Sequence, residues 1–191
     1  MNKLNRLVDV LAVGMALTFP VAVYFGLQFA DPRSLGLLLL AMLLLRHGRS
    51  ARRFASHIGL AEWAILAGLG GLTGAIIVCN SEPLLLLYPA AVSLAMLLLF
   101  GRTLLYPPSL VERIARLAEP DLPPAGVRYT RRVTIAWCVF FVVNGSVAAS
   151  TVFFSREWWL LYNGLIAYGL MGLLFAGEYL VRLRVKRRLH A

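Results

Sequence analysis

Six apolar blocks, each ended by charged or turn-forming residues, leave this chain few folds to choose from. They run over 7–29, 34–45, 62–79, 83–100, 133–154 and 158–180. A helix needs about 20 apolar residues to cross the roughly 30 Å of a bilayer's hydrocarbon. Four blocks meet or nearly meet that length, 62–79 sits at its lower limit, and 34–45 rises only about 18 Å as a helix. With 60% of 191 residues hydrophobic, almost no length is left for a soluble domain. The expectation is an all-α polytopic bundle of about six transmembrane helices, one integral membrane domain over 1–191. The short second block crosses with help from snorkelling Arg33 and Arg46, or else turns back as a re-entrant hairpin. The N-terminal apolar run is longer than a signal-peptide core and carries Asp9 and Pro20, so an uncleaved first helix is expected.

The charges then orient the bundle. With both termini cytoplasmic, seventeen of the nineteen Lys and Arg residues fall on the cytoplasmic side, as the positive-inside rule requires. Only Arg33 and Arg156 fall outside, beside Asp31 and Glu157. The net charge of +10 is therefore read as contact with anionic lipid headgroups rather than with nucleic acid, whose readers carry their basic stripe on a soluble fold. By this count the chain is expected to be a multi-pass membrane protein.

The one substantial polar stretch is 102–132. Tyr106-Pro107-Pro108 ends the fourth helix. Ser109 followed by Glu112 forms a capping box, which predicts a short helix over 110–118 with Leu110, Ile114 and Leu117 on one face. Such a helix suits the headgroup plane. A stiff prolyl connection, 119–124, follows. The segment reads as a surface linker or as a docking platform for cytoplasmic pathway enzymes.

Polar groups inside apolar blocks are the candidate functional residues. Asn144 lies near the middle of the fifth block, and an amide there must find a partner. Small residues on its face, among them Gly145 and Ala148, allow close helix approach. Asn163, beside Tyr162, reads the same way in the last block. Asp9 and Glu178 sit a few residues inside the cytoplasmic boundary, where acids are usually paired. Arg6 and Arg182 stand at pairing distance in sequence, and Arg131 and Arg132 enter at the same depth. The two arrangements expected are local ion pairs or a shared polar pocket open to the cytoplasm. Gly70 and Gly74 form a GxxxG, a helix-packing signal. The repeated LAMLLL at 40–45 and 94–99 hints at a duplicated hairpin of the kind found in transporters. Leu-rich segments also match one another by chance.

Chemistry-bearing motifs are scarce. His47, His57 and His190 have no acid at a motif-like spacing, and no metal-ligand spacing, phosphate-binding glycine loop or nucleophile elbow occurs. Cys79 and Cys138 lie in apolar segments, as buried small hydrophobes do. No cofactor, metal or catalytic set is expected.

The stretches TFPVAVYFGLQFADPR, YPPSLVERIARL, DLPPAGVRYTRRVTIAWCVFFVVNGSVAAST and WWLLYNGLIAYGLMGLLFAGEYLVR resemble a group of uncharacterised bacterial inner-membrane proteins. Members of that group are encoded among fatty-acid-synthase-like and aryl-polyene-type pathway genes, and some carry a ketosynthase label. That label does not fit the residues: the reaction needs a nucleophilic Cys with His partners in a soluble fold, whereas Cys138 is in mid-block and no block contains a His. More distantly, Trp137, Phe140, Phe141, Asn144 and Trp158 follow a layout similar to the septation protein A family, which is implicated in cell division and envelope organisation. The resemblance implies a non-catalytic membrane protein that anchors or organises a lipid or cell-envelope biosynthetic pathway. The alternatives are a small transporter or lipid translocator, supported by Asp9, Asn144, Asn163 and Glu178, and a membrane enzyme on lipid substrates using His47 or His57. A homo-oligomer is compatible with all three.

Overall fold

A computed structural model of the protein describes residues 21–41 and 59–189. Every regular element among them is helical. In chain order these are α1 (described over 21–29), α2 (Pro32–Ala41), α3 (Leu60–Cys79), α4 (Glu82–Leu86), α5 (Tyr88–Leu105), α6 (Leu110–Ala118), α7 (Pro124–Ser150), α8 (Arg156–Leu161) and α9 (Ala167–Leu189). A single 3₁₀ turn, Thr151–Phe153, follows α7, and a π turn, Tyr162–Ile166, joins α8 to α9. Three stretches are long and apolar enough to cross a membrane: Tyr88–Leu105, Pro124–Phe153 and Arg156–Arg182. The sequence predicts six. The remaining three candidates are shorter in what is described, and the first two extend into 1–20 and 42–58, outside the described residues. Asp9, Arg6, His47, His57 and His190 also lie outside them, as does most of the first LAMLLL copy.

Two expected boundaries are corrected. The block 83–100 is not one helix. Pro89 cannot donate to the carbonyl four residues back and its ring crowds that carbonyl, so the helix breaks at Leu87 and the long element runs on to Leu105. The fifth span begins nine residues before 133. Pro124 starts α7 at a first-turn position that needs no N–H, and nothing that breaks a helix intervenes before Ser150. Arg128, Arg131 and Arg132 are therefore helical rather than part of a loop.

At the end remote from the arginine-rich segments, the core packs Val23, Leu35, Leu39, Ile76, Leu85, Leu86, Tyr88 and Trp159. The break before Pro89 frees the carbonyl of Leu86, and the indole N–H of Trp159 donates to it at 2.8 Å. Arg33 ties α2 to the end of α3. Its Nε–H donates to the Ile77 carbonyl and its backbone N–H to Asn80 Oδ1, both at 2.9 Å. Asn80 closes α3 in the left-handed region (φ 48°), which Asn tolerates better than most residues. Arg156, next to Glu157 in sequence, grips Glu82 through two bonds of 2.6 Å. Both side chains are partly exposed (43% and 31%), so Arg156→Ala should lower stability by only about 0.5–1 kcal/mol, less at high salt. Unfolding titrations at two salt concentrations check this.

α5 and α7 form the most extensive helix pair. Gly145 permits it, because a Cβ there would lie 3.0 Å from the Ser93 Cβ. The GxxxG of α3 does not work this way: Cβ atoms at Gly70, Gly71 and Gly74 would meet nothing within 4 Å among the described residues.

Candidate functional site

α6 forms where the capping box puts it. Ser109 Oγ accepts the N–H of Glu112 at 3.4 Å, and Glu112 turns to Arg116 in an i,i+4 ion pair of 2.9 Å rather than back to the cap. The helix is strongly two-faced. Leu110, Val111, Ile114 and Ala115 point toward α5 and α7, whereas Leu117, expected on the same face, is 87% exposed. Prolines bound the helix on both sides, Pro107-Pro108 before it and Pro120, Pro123 and Pro124 after it, so it is held across the basic ends of α5 and α7.

Beneath α6 lies a cavity of about 820 Å³, walled by α5, α6, α7 and α9. Its sides are apolar. Val92, Met96 and Leu99 come from α5, Val133 and Phe140 from α7, and Met171 from α9. An aromatic cluster forms the middle. Trp137 packs on Phe175 with ring centroids 4.5 Å apart and on Phe141 at 5.7 Å, and Phe100 meets Phe141 edge-on at 5.2 Å. Trp137 and Phe141 are buried. Trp137, a candidate from sequence, is thus part of the cavity wall.

The floor is polar. Asn144 is buried and lines the cavity together with Ser93. Its Nδ2 donates to Ser93 Oγ at 3.1 Å, and its Oδ1 accepts the hydroxyl of Tyr162 at 3.1 Å. Ser93 passes its own proton to the Pro89 carbonyl at 3.1 Å. The chain Tyr162–Asn144–Ser93 therefore joins the π turn, α7 and α5 where the cavity ends. The π turn, a feature often met at functional sites, also sets Asn163. The Asn163 amide donates to Thr151 Oγ1 (3.1 Å) and the Trp159 carbonyl (3.0 Å), farther from the cavity.

The mouth, at the basic end, holds Tyr129, Glu178, Arg182 and Glu119. The Tyr129 hydroxyl donates to the backbone carbonyl of Glu178 at 3.0 Å and lies 3.4 Å from its Oε1. The expected Glu178–Arg182 bridge does not form: among the described residues neither side chain has an ion-pair partner within 4 Å. Tyr129 reaches across from α7 to the Glu178 backbone, and the carboxylate lies beside its hydroxyl. Arg131 and Arg132 stay outside the cavity. Arg131 donates to the Leu104 carbonyl at 3.2 Å, tying α7 to the end of α5, and Arg132 is exposed. The structure thus brings Trp137, Asn144 and Glu178 to one cavity, sets Asn163 beyond its floor, and leaves Arg131 and Arg132 out of its lining.

Sequence reasoning missed Ser93, Tyr129 and Tyr162 as partners. Ser93 is the sole hydroxyl between Tyr88 and Phe100 and lies on the approach face of α5, a local signal that could have found it. Tyr129 meets Glu178 across 49 residues, and nothing local announces that. Among the described residues neither His nor Cys lines the cavity, and no three metal-ligating side chains cluster. No family model matches this chain, and neither does any curated protein or solved structure.

Proposed function

We propose that this is a multi-pass bacterial inner-membrane protein, cytoplasmic at both termini, that holds one lipid-type amphiphile in the service of a lipid or cell-envelope biosynthetic pathway. One observation carries the reading: the cavity has an apolar, aromatic-lined body, a charged mouth and a depth of one monolayer. From Tyr129 to Asn144 is fifteen residues of continuous helix, about 22 Å at 1.5 Å per residue. Half a bilayer with its headgroups is about 20 Å thick. The mouth faces the arginine-rich side, which the positive-inside rule assigns to the cytoplasm. A chain lying along Phe140 and Trp137 would reach Asn144 with its head at Tyr129. The described lining offers groups that bind an amphiphile, which supports a holder or organiser. The resemblance to proteins encoded among fatty-acid-synthase-like genes points the same way.

The test is lipid analysis of the intact protein purified in mild detergent. About one amphiphile per chain is expected to survive mild purification. Val133→Trp, which fills the middle of the cavity, should remove most of it without unfolding the bundle. A protein that purifies folded and free of lipid, with Val133→Trp indistinguishable from wild type, overturns the proposal. Delivery to cytoplasmic enzymes would use the outward side of α6. Arg113→Glu with Leu117→Glu should then abolish their co-purification while leaving the bound lipid in place, since neither side chain lines the cavity.

A second reading, lipid translocation, draws on a different observation. Polar groups continue past the cavity floor, from Tyr162 to Asn163 and Thr151, at a π turn in mid-helix. These could carry a headgroup onward through the second leaflet. Reconstituted protein should then speed the movement of a fluorescent lipid between leaflets; a rate equal to that of empty vesicles removes this reading.

A further inference from the structure

We infer that the cavity mouth selects a zwitterionic headgroup bearing a phosphate and a primary ammonium, the phosphoethanolamine class. This rests on the lipid reading above and adds the identity of the head.

The apolar walls cannot make the choice. A lipid chain leaving the bilayer for the cavity exchanges one hydrocarbon environment for another, so hydrophobic transfer contributes little. Preference must come from polar groups, and the mouth supplies an unusual pair. Glu178 and Arg182 stand one helical turn apart on α9, both line the cavity, and they do not pair with each other. An acid and a base at i,i+4 in a poorly solvated site normally close on one another. Here the Glu178 carboxylate is turned toward the α7 side, with its Oε1 3.4 Å from the Tyr129 hydroxyl, and the guanidinium stands one turn further toward the basic end. Two opposite charges set about 6 Å apart along one helix face match a head whose phosphate and ammonium are separated by two methylenes.

The charge arithmetic of the mouth favours the same answer. Glu178 and Arg182 bring one charge of each sign to it. A purely anionic head would satisfy Arg182 and leave Glu178 facing a like charge. A zwitterionic head satisfies both: its phosphate oxygens accept from the Arg182 fork, and its ammonium donates to Glu178. Arg recognises phosphate in this bidentate way, and an N–H donor is needed opposite the carboxylate.

The test uses the full-length protein in nanodiscs containing equal amounts of phosphatidylethanolamine and phosphatidylglycerol with identical chains, followed by native mass spectrometry of the released protein. Wild type should retain the ethanolamine lipid over the glycerol lipid by about tenfold, the scale of one charge-assisted bond. Glu178→Gln should bring that ratio close to one while total bound lipid stays, and Arg182→Gln should lower retention of both. A measurement without any substitution guards against misfolded variants: replacing the ethanolamine lipid by phosphatidylcholine, whose trimethylated nitrogen has no N–H to donate, should abolish the preference in wild type. Lipid retained with no preference between heads overturns the headgroup assignment and leaves the acyl cavity standing. Retention of neither lipid overturns the lipid reading itself.

Discussion

Trp159→Ala is expected to destabilise the protein by about 3–5 kcal/mol, the largest effect of any single substitution proposed for this chain. Trp159 is 1% exposed and sits at the centre of the core that joins α1, α2, α3, α4 and α8. Removing the indole empties a space that helices tied elsewhere by Arg33–Ile77 and Arg156–Glu82 cannot easily refill. It also strands the Leu86 carbonyl, which the break before Pro89 has already detached from its helix partner. In a bilayer the water-to-oil transfer contributes less than in a soluble core, so the cost comes from lost packing and the orphaned carbonyl. Trp159→Phe separates these. It keeps most of the ring contacts and should cost about 1–2 kcal/mol, the value of the indole bond. The neighbouring residue is the control. Trp158 is 62% exposed, and Trp158→Ala should change stability by less than about 0.5 kcal/mol. Equilibrium unfolding in mixed micelles checks all three; equal losses at 158 and 159 would mean that the core is not where the structure puts it.

Those two tryptophans also mark how far the sequence could be read. Adjacent in an apolar block, they are equivalent by composition and opposite in burial. Long apolar runs specify that a helix forms, and three of the expected spans are present as helices long and apolar enough to cross. Local chemistry was legible as well: Ser109 caps α6. What Leu-rich helices do not carry is a readable partner-facing side, because every face is apolar and periodicity has nothing to contrast. The bonds that organise this fold span 49, 51, 73 and 74 residues: Tyr129 to Glu178, Ser93 to Asn144, Leu86 to Trp159, and Glu82 to Arg156. Each joins helices whose adjacency no local pattern encodes. For that reason Asn144 could be singled out as needing a partner, while Ser93 and Tyr162 could not be named. The same ignorance of partners applies to Glu178. Glu178 was matched to Arg182 because the two are close in sequence, whereas the fold offers it Tyr129.

Asn144→Leu is the second large effect, and it separates the two functional readings. The substitution keeps the volume and removes both the acceptor for Tyr162 and the donor to Ser93. Interhelical bonds of this kind contribute on the order of 0.6 kcal/mol each and at most about 1.7. Two of them, with a tyrosine hydroxyl left without its acceptor in an apolar surrounding, give an expected loss of about 2 kcal/mol. Tyr162→Phe removes one bond together with its donor and should cost about 1 kcal/mol. The double variant should fall short of the sum, because the Tyr162 bond can be lost only once. If the amide is only the floor of a binding cavity, the variant should be less stable yet retain its bound lipid at the wild-type ratio. If it is a gate between the leaflets, the apolar floor should slow leaflet-to-leaflet lipid movement by a larger factor than stability alone predicts, and Tyr162→Phe should reproduce part of that slowing. The comparison turns on one amide that the helix pair α5–α7 grips through a serine and the π turn grips through a tyrosine: the first contact seals the cavity, and the second leads toward the opposite face.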